Sequence, residues 1–118
     1  MRVAEEMSRY IWTASRLATW KKTLRLYHIT PQELSNIRTK LLVAQNFKCG
    51  VCTVNLSGRV AFLDHDHHSG ALRGMLCFRC NRFYVAKNSR ESSVEIVRYL
   101  NDPPAQKLLE SWGIEAHG

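Results

Sequence analysis

The sequence predicts a mostly helical α+β protein built around a metal-stapled strand–loop–strand–helix unit. Three observations carry this. Two Cys-x-x-Cys pairs, Cys49/Cys52 and Cys77/Cys80, stand 24 residues apart. Between them, two short β-prone stretches flank the polar run Asp64-His65-Asp66-His67-His68. On either side the apolar residues recur at helical rather than alternating spacing. The 118 residues fit one domain. Within it we read a basic N-terminal helix (1–29), a zinc-bound core (30–90) and C-terminal helices (91–118).

Residues 4–27 read as a helix with Tyr10, Ile11, Ala14, Leu17, Ala18 and Leu24 on one broad face. Arg9 and Arg16 fall opposite, flanked by Trp12 and Trp20, and the stripe degrades toward Lys21, Lys22 and Arg25. Thr30-Pro31-Gln32-Glu33 is a helix start with a cap, a proline in the first turn and a capping-box glutamate. The helix behind it runs to about Gln45, with Leu34, Ile37, Leu41 and Ala44 inward. Cys49 to Cys52 reads as a tight metal-binding turn. Val60 to Leu63 is a strand, Ser69-Gly70 a turn and Ala71 to Leu76 the return strand. From Cys77 the chain suits a helix. Residues 92–100 form another, with Ile96, Val97 and Leu100 inward, broken by Asp102-Pro103-Pro104. Ala105, Leu108, Leu109 and Trp112 set a last short helix whose stripe belongs to the core.

The net charge is +7, of which residues 1–48 carry +6. From Met7 to Gln32 there are five basic residues and no acid. An anionic partner is expected, nucleic acid first and an acidic membrane surface second. No apolar run approaches the roughly 20 residues of a membrane span, and the N-terminus lacks a secretory core, so a reducing cytoplasm is expected. There, paired cysteines favour metal over a disulfide framework.

Four thiolates in this spacing suit a structural tetrahedral zinc that leaves no open position for chemistry. The Asp64–His68 run is then a solvated loop, a set of extra ligands for the same ion, or a hydrolytic site. For the last, Asp64 and Asn81 offer oxygens to a magnesium or manganese ion, and His65 offers a base with an unperturbed pKa near 6.5. Cys80 pins Asn81 near the hairpin although 16 residues separate it from Asp64. Strict strand alternation would send Asp64 and His65 to opposite faces, so both serve one site only if the strand ends or bends there. Arg73, Arg79 and Arg82 are candidate phosphate contacts or plain surface arginines. Arg9 and Arg16, with Trp12 and Trp20, are candidates to grip a DNA backbone, although the tryptophans read better as packing residues.

The stretch Gln45 to Asn81 resembles the phage recombination endonuclease VII family, within the HNH or His-Me finger nucleases of ββα-metal fold. The resemblance rests on Gln45, Cys49, Cys52, Asp64, His65, His67, Gly70, Arg73, Gly74, Leu76, Cys77, Cys80 and Asn81. A looser likeness reaches from Thr30 to Pro104 and includes Tyr99-Leu100. It implies a structural zinc on the four cysteines and a catalytic divalent ion on Asp64 and Asn81. It also implies His65 as general base and His67 as a contact to the scissile phosphate or its metal. The implied activity is cleavage of DNA, including four-way (Holliday) junctions in recombination, by a homodimer. After Asn81 the chain departs from the family, with Arg82, Phe83, Tyr84 and Val85 where acidic or small residues are usual. The alternatives are an HNH nicking enzyme without junction preference and a non-catalytic zinc-dependent DNA-binding regulator.

Overall fold

The computed structural model describes residues 12–85 and 94–117, with backbone only for 83–85. The expected contributions of Arg9, Tyr10 and Ile11, and the stretches 86–88 and 92–93 of two expected helices, lie outside the described residues. Helix α1 spans Ala14–Tyr27 and α2 spans Pro31–Ala44. Strands β1 (Phe62–His65) and β2 (Leu72–Leu76) form an antiparallel pair. A π-helical segment, Cys80–Val85, follows, then α3 (Val94–Asn101) and α4 (Pro104–Ser111).

Local chemistry sets the helix ends. Thr13 Oγ1 accepts from the Arg16 amide at 3.2 Å and starts α1, which stops at His28 in the left-handed region (φ 53°). At α2 the expected capping box is present. The Glu33 amide donates to Thr30 Oγ1 (3.1 Å), and the Thr30 amide donates to Glu33 Oε1 (2.9 Å). Such a cap contributes about 1 kcal/mol. Two successive left-handed residues, Asn46 and Phe47, then turn the chain sharply into the first cysteine pair.

Leu34, Ile37, Leu41 and Leu42 of α2 bury against β2 and α4, together with Leu63, Leu72, Met75, Leu76, Ile96, Ala105 and Leu109. Gln45, at the end of α2, joins the hairpin as a side-chain surrogate for a third strand. Its Oε1 accepts from the Met75 amide (2.8 Å), and its Nε2 donates to the carbonyls of Met75 (3.0 Å) and Lys48 (2.8 Å).

Several expectations shift. In α1 the buried face is Trp20, Thr23 and Tyr27, whereas Ala14, Leu17 and Ala18 are exposed. The reason is polar docking on the hairpin. Thr23 Oγ1 donates to the Gly70 carbonyl (2.8 Å), the Leu72 amide donates to the Tyr27 hydroxyl (2.9 Å), and Lys22 Nζ donates to the His67 carbonyl (3.2 Å). Gly70 (φ +85°) lies so close that a Cβ there would meet the Lys22–Thr23 backbone at 2.8 Å. Strand β1 begins two residues later than expected, leaving Val60 73% exposed and taking Asp64 and His65 into the ladder. In α3 the inward pair is Ile96 and Tyr99. Val97 points outward (39% exposed), because α3 sets the Tyr99 ring against the hairpin. Among the described residues, no helix is long and apolar enough to cross a membrane.

Candidate functional site

The cysteine end is built from two short turns. The Cys49–Cys52 turn is closed by the Cys49 amide donating to the Val54 carbonyl (2.9 Å) and by a bridge between Lys48 and Asn55. The second pair lies where β2 ends and the helical turn begins. All four Sγ atoms lie within 4.8 Å of one another, with Cys52 and Cys77 at 3.8 Å, and none forms a disulfide. A tetrahedron of Zn–S bonds near 2.3 Å requires an S···S separation of about 3.8 Å. The set can therefore hold a structural metal such as zinc. The Val51 and Cys80 amides point at Cys49 Sγ (3.4 Å) and Cys77 Sγ (3.5 Å), a pattern that stabilises thiolates. Burial opposes ionisation of Cys49. The backbone N–H groups of Cys77, Cys52 and Val51, with the Cys52 thiol, outweigh it and hold the Cys49 thiol below its usual range. Among the described residues this is the one group of three or more Cys, His, Asp or Glu side chains placed to share an ion.

At the other end of the hairpin the ladder slips. Asp64 pairs with Gly74 but His65 pairs with Leu72, so Arg73 is an extra residue in β2. This bulge supplies the bend that the sequence required, and both Asp64 (4% exposed) and His65 (9%) are buried. Asp64, His65, His67 and Asn81 line one cleft of about 480 Å³, together with Arg16, Trp20 and Arg38. Asn81 reaches it because its amide donates to the Cys77 carbonyl (3.0 Å), which ties it to the cysteine frame. A larger cleft of about 710 Å³ is lined by Asp66, Glu110 and Glu115 with Arg73 as its one basic group, a lining ill suited to an anion.

Asp64 Oδ2 accepts from the Tyr99 hydroxyl (2.9 Å) and lies 3.0 Å from Arg73 Nε. The Arg73 contact is charge against charge without hydrogen-bond alignment, because Nε makes no aligned hydrogen bond. Arg73 Nη2 instead donates to the His65 carbonyl at 2.9 Å. Burial raises the Asp64 pKa above its ordinary value, and Arg73 and the Tyr99 hydroxyl pull against that rise. Burial likewise holds the Tyr99 phenol well above its range, helped by the Asp64 carboxylate. His65 packs between Trp20 (centroids 4.3 Å) and His67 (4.6 Å). Burial, then the nearby His67 and Arg73, lower its pKa to about 4. At neutral pH it is in the uncharged form that a base requires.

The remaining candidates separate. Arg16 lies on the cleft wall. Arg79 and Arg82 are exposed, with Arg82 over the Phe78 ring at 5.9 Å. Arg73 points its guanidinium at Asp64 and the His65 carbonyl. Asp66 belongs to the turn. Its Oδ1 accepts from the His68 (2.7 Å) and Ser69 (3.2 Å) amides, which hold its pKa below the usual carboxylate range. Trp12 and Trp20 are packing residues, half-buried and buried. Sequence reasoning missed Arg38 and the Asp64 partner role of Tyr99. The signal available for Arg38 was a cation inside the apolar face of α2. For Tyr99 there was a lone phenol on an apolar stripe, which says nothing of its partner.

The family model for recombination endonuclease VII matches residues 20–102. Two curated relatives are each named "Gene 59 protein". That of Mycobacterium phage L5 is 31% identical over 101 residues, covering 82% of this chain and 59% of its own length. That of Mycobacterium phage D29 is 32% identical over 101 residues, covering 81% and 59%. The chain thus spans about 59% of the length of these relatives. No solved structure gives a significant match.

Proposed function

The chain belongs to the recombination endonuclease VII family, and from that premise we propose that it is a metal-dependent DNA endonuclease acting on branched DNA such as four-way junctions. The observation that carries the reading is the shared cleft, in which a buried carboxylate and an uncharged histidine from β1 meet an amide from the segment after Cys80. The four cysteines hold a structural zinc. Asp64 and Asn81 hold magnesium or manganese, which would supply charge stabilisation at the leaving 3′ oxygen. Two protein oxygens suffice for a hard ion that keeps most of its waters.

His65 accepts the proton of the attacking water. The anionic phosphate in the cleft shifts its pKa back upward, toward the value at which a base works best near neutral pH. His67, exposed and stacked on His65, contacts the phosphate. Tyr99 and Arg73 fix the Asp64 carboxylate. The setting would be a host cytoplasm, and a dimer would place two such clefts on opposed strands of a junction.

One observation favours a DNA-binding protein that does not cut: Asp64 Oδ2 already carries two protein partners. Incubation with supercoiled plasmid separates the readings. The nuclease reading predicts magnesium-dependent nicking that His65→Ala abolishes. Plasmid binding without nicking in either magnesium or manganese sinks it. Comparing a synthetic four-way junction with linear duplex then tests junction preference.

A further inference from the structure

We propose that Lys22, on the flank of α1 beside the cleft, binds the DNA backbone phosphate next to the one that His67 contacts. This rests on the nuclease reading of the cleft and adds to it the residue that holds the strand at the cleft mouth. Thr19 and Trp20 of α1 line the cleft. Successive helical residues turn by about 100°, so Lys22 falls on the flank of Thr19 and Lys21 on the opposite one. Lys22 is exposed, and its Nζ donates to the His67 carbonyl at 3.2 Å. His67 lines the cleft with its ring stacked on His65. The ammonium therefore stands within the span of one residue from the His67 imidazole.

The fold sets this position. Gly70 lies against the Lys22–Thr23 peptide, where a Cβ would come within 2.8 Å, and Thr23 Oγ1 donates to the Gly70 carbonyl (2.8 Å). The stem of Lys22 therefore starts from a point fixed against the hairpin turn. An ammonium carries three N–H donors, and the carbonyl uses one of them. An ionised oxygen makes the stronger bond to such a donor. Asp66, the one acid of the turn at 65–70, sends Oδ1 to the His68 and Ser69 amides, and among the described residues no ion pair joins it to Lys22. Helix α1 has no acid between Ala14 and Tyr27. Each nucleotide carries one phosphate. A strand with its scissile phosphate at His65 and His67 brings the adjoining phosphate past the turn, where Lys22 stands. A lysine there acts as a point charge that holds the backbone whatever the base sequence.

The test measures binding of a fluorescent four-way junction to zinc-loaded protein in calcium across a salt series. Lys22→Met is expected to raise Kd about fivefold at low salt and to flatten the log–log salt slope by about one, the value of one phosphate contact. Lys21→Met removes the same charge from the other flank of α1 and should change Kd by less than about twofold at unchanged slope. Lys22→Gln keeps an N–H donor for the His67 carbonyl but no charge, so it should bind as weakly as Lys22→Met. Wild-type affinity in Lys22→Gln overturns the proposal, because the docking bond would then account for the whole effect. A Lys22→Met protein that matches Lys21→Met in Kd and slope overturns it as well. If Lys22→Met fails to fold, the comparison of Lys22→Gln with Lys21→Met decides. Cleavage by the wild type in magnesium is scored separately. Absence of cleavage with a flattened Lys22→Met slope removes the nuclease reading and leaves the phosphate contact. Cleavage with Lys22→Met equal to Lys21→Met removes the phosphate contact alone.

Discussion

The two ends of the hairpin are built on opposite plans. The cysteine end draws four identical ligands from two local turns and ties them with their own backbone amides. The cleft end combines different chemical groups, a carboxylate and an imidazole from β1 and an amide from the segment after Cys80. Two of these groups depend on a partner far away in sequence: Asp64 on Tyr99, 35 residues on, and His65 on Trp20 of α1. The first plan is local and stands or falls as a unit. The second is assembled by tertiary packing and can be tuned one residue at a time.

The largest effect should therefore come at the cysteine end. Cys77→Ser, or removal of metal by a chelator, is expected to abolish the cooperative thermal transition, because structural zinc contributes on the order of 10 kcal/mol or more. Metal analysis should find one zinc per folded chain, and a chelator-treated protein that keeps its melting curve would break the comparison. At the cleft, His65→Ala should lower the nicking rate by at least about 100-fold, the usual scale for a lost base, while zinc content stays intact. A variant that loses zinc as well would join the two ends into one unit.

Tyr99→Phe removes only the 2.9 Å hydrogen bond to Asp64. The magnesium concentration for half-maximal cleavage should rise about tenfold, as for other groups that orient a metal ligand. Zinc content and thermal stability should change little, and an unaltered magnesium titration would remove Tyr99 from the site.

The smallest effect is on pH. His65 has a folded pKa of about 4, below its ordinary 6.5. The unfolded chain therefore binds the extra proton first. The stability from uncharged His65 is fully present above 6.5 and is lost as pH falls through the window down to about 4. His65→Phe should flatten the melting temperature across that window relative to wild type. A wild-type melting temperature that is flat between pH 6.5 and 4 contradicts the buried, uncharged histidine.

The same contrast explains what the sequence could reveal. Cys-x-x-Cys spacing and the Thr30–Glu33 capping box are local patterns whose geometry follows from a few residues, so both were legible. The meeting of Asp64 and His65 needed a bulge at Arg73, and a register slip leaves no mark in apolar alternation. Helix α1 misled because its buried face is chosen by Thr23 and Tyr27, two polar groups that bond to the hairpin, and not by its apolar stripe. Arg38 and Tyr99 became visible only when helices distant in sequence closed on the strands.

Manganese binding to the zinc-loaded protein, read by electron paramagnetic resonance, tests most directly whether Asp64 and Asn81 share an ion. The account predicts one manganese site in the wild type, strongly weakened by Asp64→Asn and by Asn81→Ala alike. Equal manganese affinity in all three proteins would contradict it.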